Sequence, residues 1–186
     1  ATQPLVARIA SALAQGDDGA LKIVIEIFEQ WGFTVVGFDQ IAPDLLPPAG
    51  VLTARAPQLH DQEDAARAAA VIATISPLDI GQACAVASGH VLAVEAYGGT
   101  EWMLHSLTTR DEVWPKGGIL FKAPKNGQDR RVDLPAIGLA TCQQVKQAGL
   151  EGIVIHHGGV VVLNLAQVIA EANRLGLFIW VREDQL

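Results

Sequence analysis

Apolar residues recur at helical and strand periods along most of this chain, and the breaks between periodic stretches mark its elements. Pro4 behind Thr2 starts a helical pattern with Leu5, Ile9, Ala12 and Leu13. Asp17 or Asp18 caps a second helix to about Trp31, with Gly32 as its stop. Residues 33–38 read as a strand, and Asp39 as the cap of a short helix ending before Pro47-Pro48-Ala49-Gly50. That breaker cluster is the best boundary. It divides a helical linker region with one strand, 1–50, from an α/β domain, 51–186.

Asp61 opens an alanine-rich helix ending near Ile75, before Ser76-Pro77. Segments 83–87 and 90–96 form a hairpin across Ser88-Gly89. Thr100 caps a helix to about Leu107, and 118–123 is a short strand. Thr141 and Gln144 match a capping box for a helix to Ala148. Segments 152–156 and 160–164 read as a second hairpin across Gly158-Gly159, followed by a helix from Asn164 to Gly176 and a strand at 177–181. Hairpin, helix and strand thus occur twice. The product is an α/β layered domain with a mixed sheet built from repeated hairpin-helix-strand units and preceded by helices.

Composition narrows the class. Half of the 186 residues are hydrophobic and 18% are charged, which suits a compact globular body. The tryptophans and Phe28, Phe33 and Phe38 are most simply core. A net charge of −7 argues against a nucleic-acid partner over the whole surface. Cys84 and Cys142 form neither a zinc pattern nor a disulfide framework and fit a reducing compartment. No apolar run reaches the roughly 18–20 residues of a spanning helix, and no signal peptide is visible. The expected location is cytoplasmic. Ala1 is read either as a trimmed start or as the edge of a fragment.

Five of the 13 lysines and arginines fall between Lys116 and Arg131. Lys122, Lys125, Gln128, Asp129, Arg131 and Asp133 follow a strand directly, and ligands collect at strand C-termini in α/β sheets. Cations hold phosphate oxygens, and paired carboxylates suit Mg²⁺. A solvated loop with self-paired charges explains the pattern equally well. A second cluster runs Glu95-Ala-Tyr97-Gly98-Gly99-Thr100-Glu101. A helix N-terminus there suits phosphate, although Glu101 repels it without a metal, and a plain capped turn is slightly favoured. Asp79-Ile-Gly81-Gln82 reads by itself as a turn. The adjacent His156 and His157 face opposite sides of a strand and do not chelate together. There is no Rossmann fingerprint, Walker A loop or Gly-x-Ser-x-Gly elbow.

Three pieces together resemble the UDP-2,3-diacylglucosamine pyrophosphatase family of lipid A biosynthesis, of the alphaproteobacterial type. They are Asp79-x-Gly81-Gln82, Glu95 to Gly99-Thr100, and Lys122-x-x-Lys125-x-x-Gln128-Asp129-x-Arg131-x-Asp133-x-Pro135-x-Ile137-Gly138-x-x-Thr141. The resemblance covers nearly the whole chain, as linker and C-terminal domain without the family's N-terminal domain. Gly98 and Glu101 depart from the family's Glu-Gly-Thr-Asp.

The resemblance implies metal-dependent hydrolysis of UDP-2,3-diacylglucosamine to UMP and 2,3-diacylglucosamine 1-phosphate, with Mg²⁺ or another divalent cation such as Mn²⁺. Substrates sit between two domains in this family, so poor binding and no turnover are expected of the chain alone. Asp129 and Asp133 are expected as metal ligands or activators of water. Lys122 and Glu95 join them in catalysis. Lys125, Arg131, Gln82, Gly99, Thr100 and Gln128 are expected to bind substrate. A diacylated substrate implies peripheral contact with the inner membrane, and a homodimer contact through the long helices is a further expectation. The competing function is a non-catalytic sugar-nucleotide or phosphate-binding domain.

Overall fold

The computed structural model of the chain describes residues 17–125, 131 and 133–183. The helix expected at 4–13 lies outside these residues. The described residues fall into two compact units, 17–44 with 131, 133 and 134, and 45–125 with 135–183.

The first unit holds helix α1 (Asp17–Gln30) and helix α2 (Phe38–Ile41), and a 3₁₀ turn (Pro43–Leu45) carries the chain past the boundary at residue 44. Gly32 follows α1 at φ +85°, the left-handed stop that a glycine provides. Residues 33–37 are not the expected strand: they lead irregularly into α2. Alternation alone does not make a strand where no neighbouring strand takes up its backbone groups. Three of the aromatic residues expected in the core are not there, and the side chain of Phe38 lies outside the described ones. Phe28, Trp31 and Phe33 are 43%, 66% and 60% exposed, and Trp31 and Phe33 each pack edge to face on Phe28 at 6.0 Å. Among its described side chains, α1 buries Ile25 and Ile27.

The second unit is a three-layer α/β/α body. In chain order it contains β1 (Gly50–Val51), α3 (Leu59–Ile75), β2 (Ala83–Ala87), β3 (His90–Val94), α4 (Gly99–Ser106), β4 (Ile119–Lys122), β5 (Ala136–Ile137), α5 (Leu139–Gln147), β6 (Gly152–His156), β7 (Val161–Val162), α6 (Leu165–Leu175) and β8 (Phe178–Arg182). Six strands form a mixed sheet in the order β1-β8-β6-β4-β2-β3. β4, β6 and β8 run parallel, and β2 joins β4 antiparallel. Parallel strands need covered crossovers, which α5 and α6 supply.

Alternation along the strands divides the core. Ala83, Ala85, Leu120, Ile153, Ile155, Ile179 and Val181 face Met103 and Leu104 of α4, Cys142 and Val145 of α5, and Val168 and Ala172 of α6. Cys84, Val86, Ile119, Phe121, Val154 and Phe178 face Ala65, Ala68 and Ile72 of α3. Alanines along α3 let its backbone lie close to the sheet. Asp64 on the same helix clasps the β2–β3 turn, accepting the Ser88 and Gly89 N–H groups at 2.9 and 2.6 Å.

Three local expectations are corrected. Asp61 is the third residue of α3, not its opener, and accepts the Gln58 N–H at 2.8 Å. Thr141 is likewise the third residue of α5, and its hydroxyl accepts the Gly138 N–H at 3.1 Å. The hairpin expected at 152–164 does not form. β6 is flanked by β4 and β8 and has no free edge, so β7 pairs in parallel with β5 in a separate two-stranded ladder.

Candidate functional site

The carboxyl ends of β4, β6 and β8 lie along one edge of the sheet, and the first candidate, Lys122, closes β4 there. Ala83 is paired with Lys122 across β2 and β4, and its carbonyl accepts the Glu95 N–H at 2.8 Å. Residues opposite one another share a sheet face. Glu95, Ala83 and Lys122 therefore make a row across three strands, with a carboxylate and an ammonium on either side of a methyl group. The row lies on the face covered by α4.

Lys122 is 8% exposed, rare for an ammonium without polar partners. Its Nζ donates to Thr100 Oγ1 at 2.7 Å. Thr100 is the second residue of α4 and not its cap. Gly99 opens the helix at φ +75°, with its N–H donating to Ala96 O at 2.9 Å. That left-handed step turns the chain from β3 into α4 and sets Thr100 over the row. Gly98 also has a steric reason: a Cβ there would stand 3.0 Å from Trp102. The Trp102 ring is 66% exposed, not core.

Glu95 is held from the other side. Its Oε2 accepts the Gln82 N–H at 3.2 Å, and the Gln82 carbonyl accepts the Ala123 N–H at 3.0 Å. A Cβ on Gly81 would lie 2.1 Å from the Glu95 carbonyl oxygen, so only glycine lets these two backbones meet. Lys125 pairs with Asp79, the first residue of the Asp79-x-Gly81-Gln82 motif.

Arg131 and Asp133 belong to the first unit, where Arg131 Nη1 donates to Glu29 Oε1 at 2.8 Å in a half-exposed pair. Gln128 and Asp129 lie outside the described residues. Of the candidates, Gln82, Glu95, Gly99, Thr100, Lys122 and Lys125 thus stand together in the second unit.

This arrangement coincides with a recognised sequence family. The family described as the LpxI C-terminal domain matches residues 48–180. The chain belongs to it. A curated member from Caulobacter vibrioides, named UDP-2,3-diacylglucosamine pyrophosphatase LpxI, is 40% identical over 173 residues, covering 90% of this chain and 62% of the relative. The chain therefore spans about three-fifths of that relative's length. The matched stretch of this LpxI-type chain contains every candidate residue named above.

The same sheet edge carries His156 and Arg182, opposite one another in the β6–β8 register. Arg182 lies over the Trp180 ring at 5.8 Å. Among the described residues, no three of His, Cys, Asp and Glu cluster as a metal cage. Cys84 and Cys142 are free and buried. Burial pushes the Cys84 thiol up to about 12. Burial, aided by the charge of Glu171, pushes Cys142 to about 11.

Proposed function

We propose that this chain hydrolyses the pyrophosphate bond of UDP-2,3-diacylglucosamine, releasing UMP and 2,3-diacylglucosamine 1-phosphate. The observation that carries the reading is the buried Lys122 ammonium, held by Thr100 beside Glu95 at the carboxyl edge of the sheet. A fixed cation in a shielded position stabilises negative charge developing on phosphate oxygens far better than a solvated one. Lys125 is a second such cation.

The roles of Arg131 as a phosphate ligand, Gln128 as a substrate ligand, and Asp129 and Asp133 as carboxylates for Mg²⁺ or Mn²⁺ rest on the sequence motif. The donor set suits that ion. Mg²⁺ keeps waters and takes one or two carboxylates together with substrate phosphates, so it needs no cage built from protein side chains alone. Bound there, it would neutralise phosphate charge and activate water. Peripheral contact with a membrane belongs to the same reading, because the substrate carries two acyl chains; no helix among the described residues is long and apolar enough to cross a membrane.

The test is UMP release from UDP-2,3-diacylglucosamine with and without Mg²⁺. It is run on this chain and on a chimaera carrying the part of the Caulobacter protein that precedes the match. Metal-dependent UMP release supports the hydrolase. Saturable binding of the nucleotide sugar by both proteins, with no UMP from either, would make the domain a binding module instead.

A further inference from the structure

Residues 79–82 touch three parts of the candidate site at once. Gln82 donates its N–H to Glu95 Oε2, and its carbonyl accepts the N–H of Ala123, just past β4. Gly81 lies against the Glu95 backbone. Asp79 reaches the remaining part, Lys125.

Asp79 ends the 3₁₀ turn Ser76–Leu78, with its N–H donating to Ser76 O at 3.1 Å. Its backbone is left-handed, at φ 53° and ψ 36°. Aspartate tolerates that conformation better than most residues, but it remains uncommon. Its Oδ1 is ion-paired with Lys125 Nζ, and the two side chains are only 29% and 15% exposed. Lys125 itself stands beyond the last rung of β4, outside any strand. A lysine there has four rotatable side-chain bonds to order before its ammonium can serve a ligand. The ion pair orders it in advance.

We propose that Asp79 is a positioning residue that holds the Lys125 ammonium ready for the phosphate oxygens of a phosphoanhydride substrate. The inference rests on the reading of Lys125 as a phosphate-holding cation. A merely structural ion pair would change the thermal midpoint and leave kcat/KM of the folded protein unmoved.

The test is a double-mutant cycle on whichever form of the protein, chain or chimaera, releases UMP. Asp79→Ala, Lys125→Ala and the double variant are compared with wild type for kcat, KM and thermal midpoint. Asp79→Ala is expected to lower kcat/KM about ten- to a hundredfold, the scale of a misplaced group. The double variant should lose no more than Lys125→Ala alone, within about twofold. Multiplying losses, or wild-type turnover in Asp79→Ala, overturn the proposal.

A second measurement does not depend on turnover. Lysines are reductively ¹³C-methylated, and the Lys125 resonance is identified by its absence in Lys125→Ala. It should shift in Asp79→Ala, and UDP should shift it in wild type more than in that variant. A Lys125 signal indifferent to Asp79 or to UDP overturns the positioning role, even where UMP release fails in all proteins and removes the hydrolase reading.

Discussion

At the scale of single residues, Lys122 decides most. Its charge is buried and its stem packs at the end of β4. Lys122→Met keeps the stem and removes the charge. Because the desolvation cost of the ammonium goes with it, stability should hold within a few degrees of the wild-type midpoint. The catalytic loss should be large, about 10²- to 10³-fold in kcat/KM, as for removal of a fixed electrostatic donor. Kinetics beside a thermal melt separates the two effects. Turnover near wild type would place the ammonium outside the chemistry.

The cysteines give a residue-scale prediction about stability. Both thiols are raised on folding, from an ordinary value of 9.0 to about 12 and about 11. The folded state therefore keeps protons that the unfolded chain gives up. The thiols impose no penalty below pH 9, and stability falls as pH rises from there towards 11–12, by up to about 1.4 kcal/mol per pH unit for each thiol. Urea unfolding between pH 8 and pH 10.5 should show the decline, and Cys84→Ala should flatten part of it. Iodoacetamide at pH 8 should label neither cysteine until denaturant is added.

At the scale of elements, the clasp of α3 on the β2–β3 turn is the contact most open to a single substitution. Asp64 is 1% exposed and accepts two backbone N–H groups. Asp64→Ala leaves both donors without that acceptor, at about 2–4 kcal/mol. Asp64→Asn retains one acceptor oxygen and should lose roughly half as much. Equal unfolding midpoints for Asp64→Ala and wild type would refute the clasp.

The elements also show what the sequence can express. Strong local signals appear where expected: the Ser88-Gly89 turn, the glycine stop at Gly32, and the parallel strands with unbroken apolar runs. The β7 pairing was not legible, because the 152–164 pattern is that of a hairpin and only the placement of β8 beside β6 forbids it. Helix starts were displaced by two or three residues for one reason. Asp61 and Thr141 serve backbone N–H groups from inside the first turn, while Gln58 and Gly138 stand before it.

For the whole molecule, the candidate site was legible as a composition but not as a constellation. Lys122 and Glu95 lie in separate motifs, and the sheet order that makes Ala83 their common neighbour is a tertiary fact. Asp79 reads by itself as a turn and enters only with the family motif, because its partner is 46 residues away. The same view bears on metal binding. With no three-ligand cluster among the described residues, the proposed cation depends on carboxylates and substrate phosphates together. Mg²⁺ alone should then bind this chain weakly, in the millimolar range that suits one or two carboxylates, and UDP should tighten it. Linkage requires the converse to the same factor: Mg²⁺ must tighten UDP equally. Calorimetric titration of each ligand in the presence and absence of the other checks both arms. Tight Mg²⁺ binding without nucleotide would mean a preformed metal site, and independent binding would separate the metal from the phosphates.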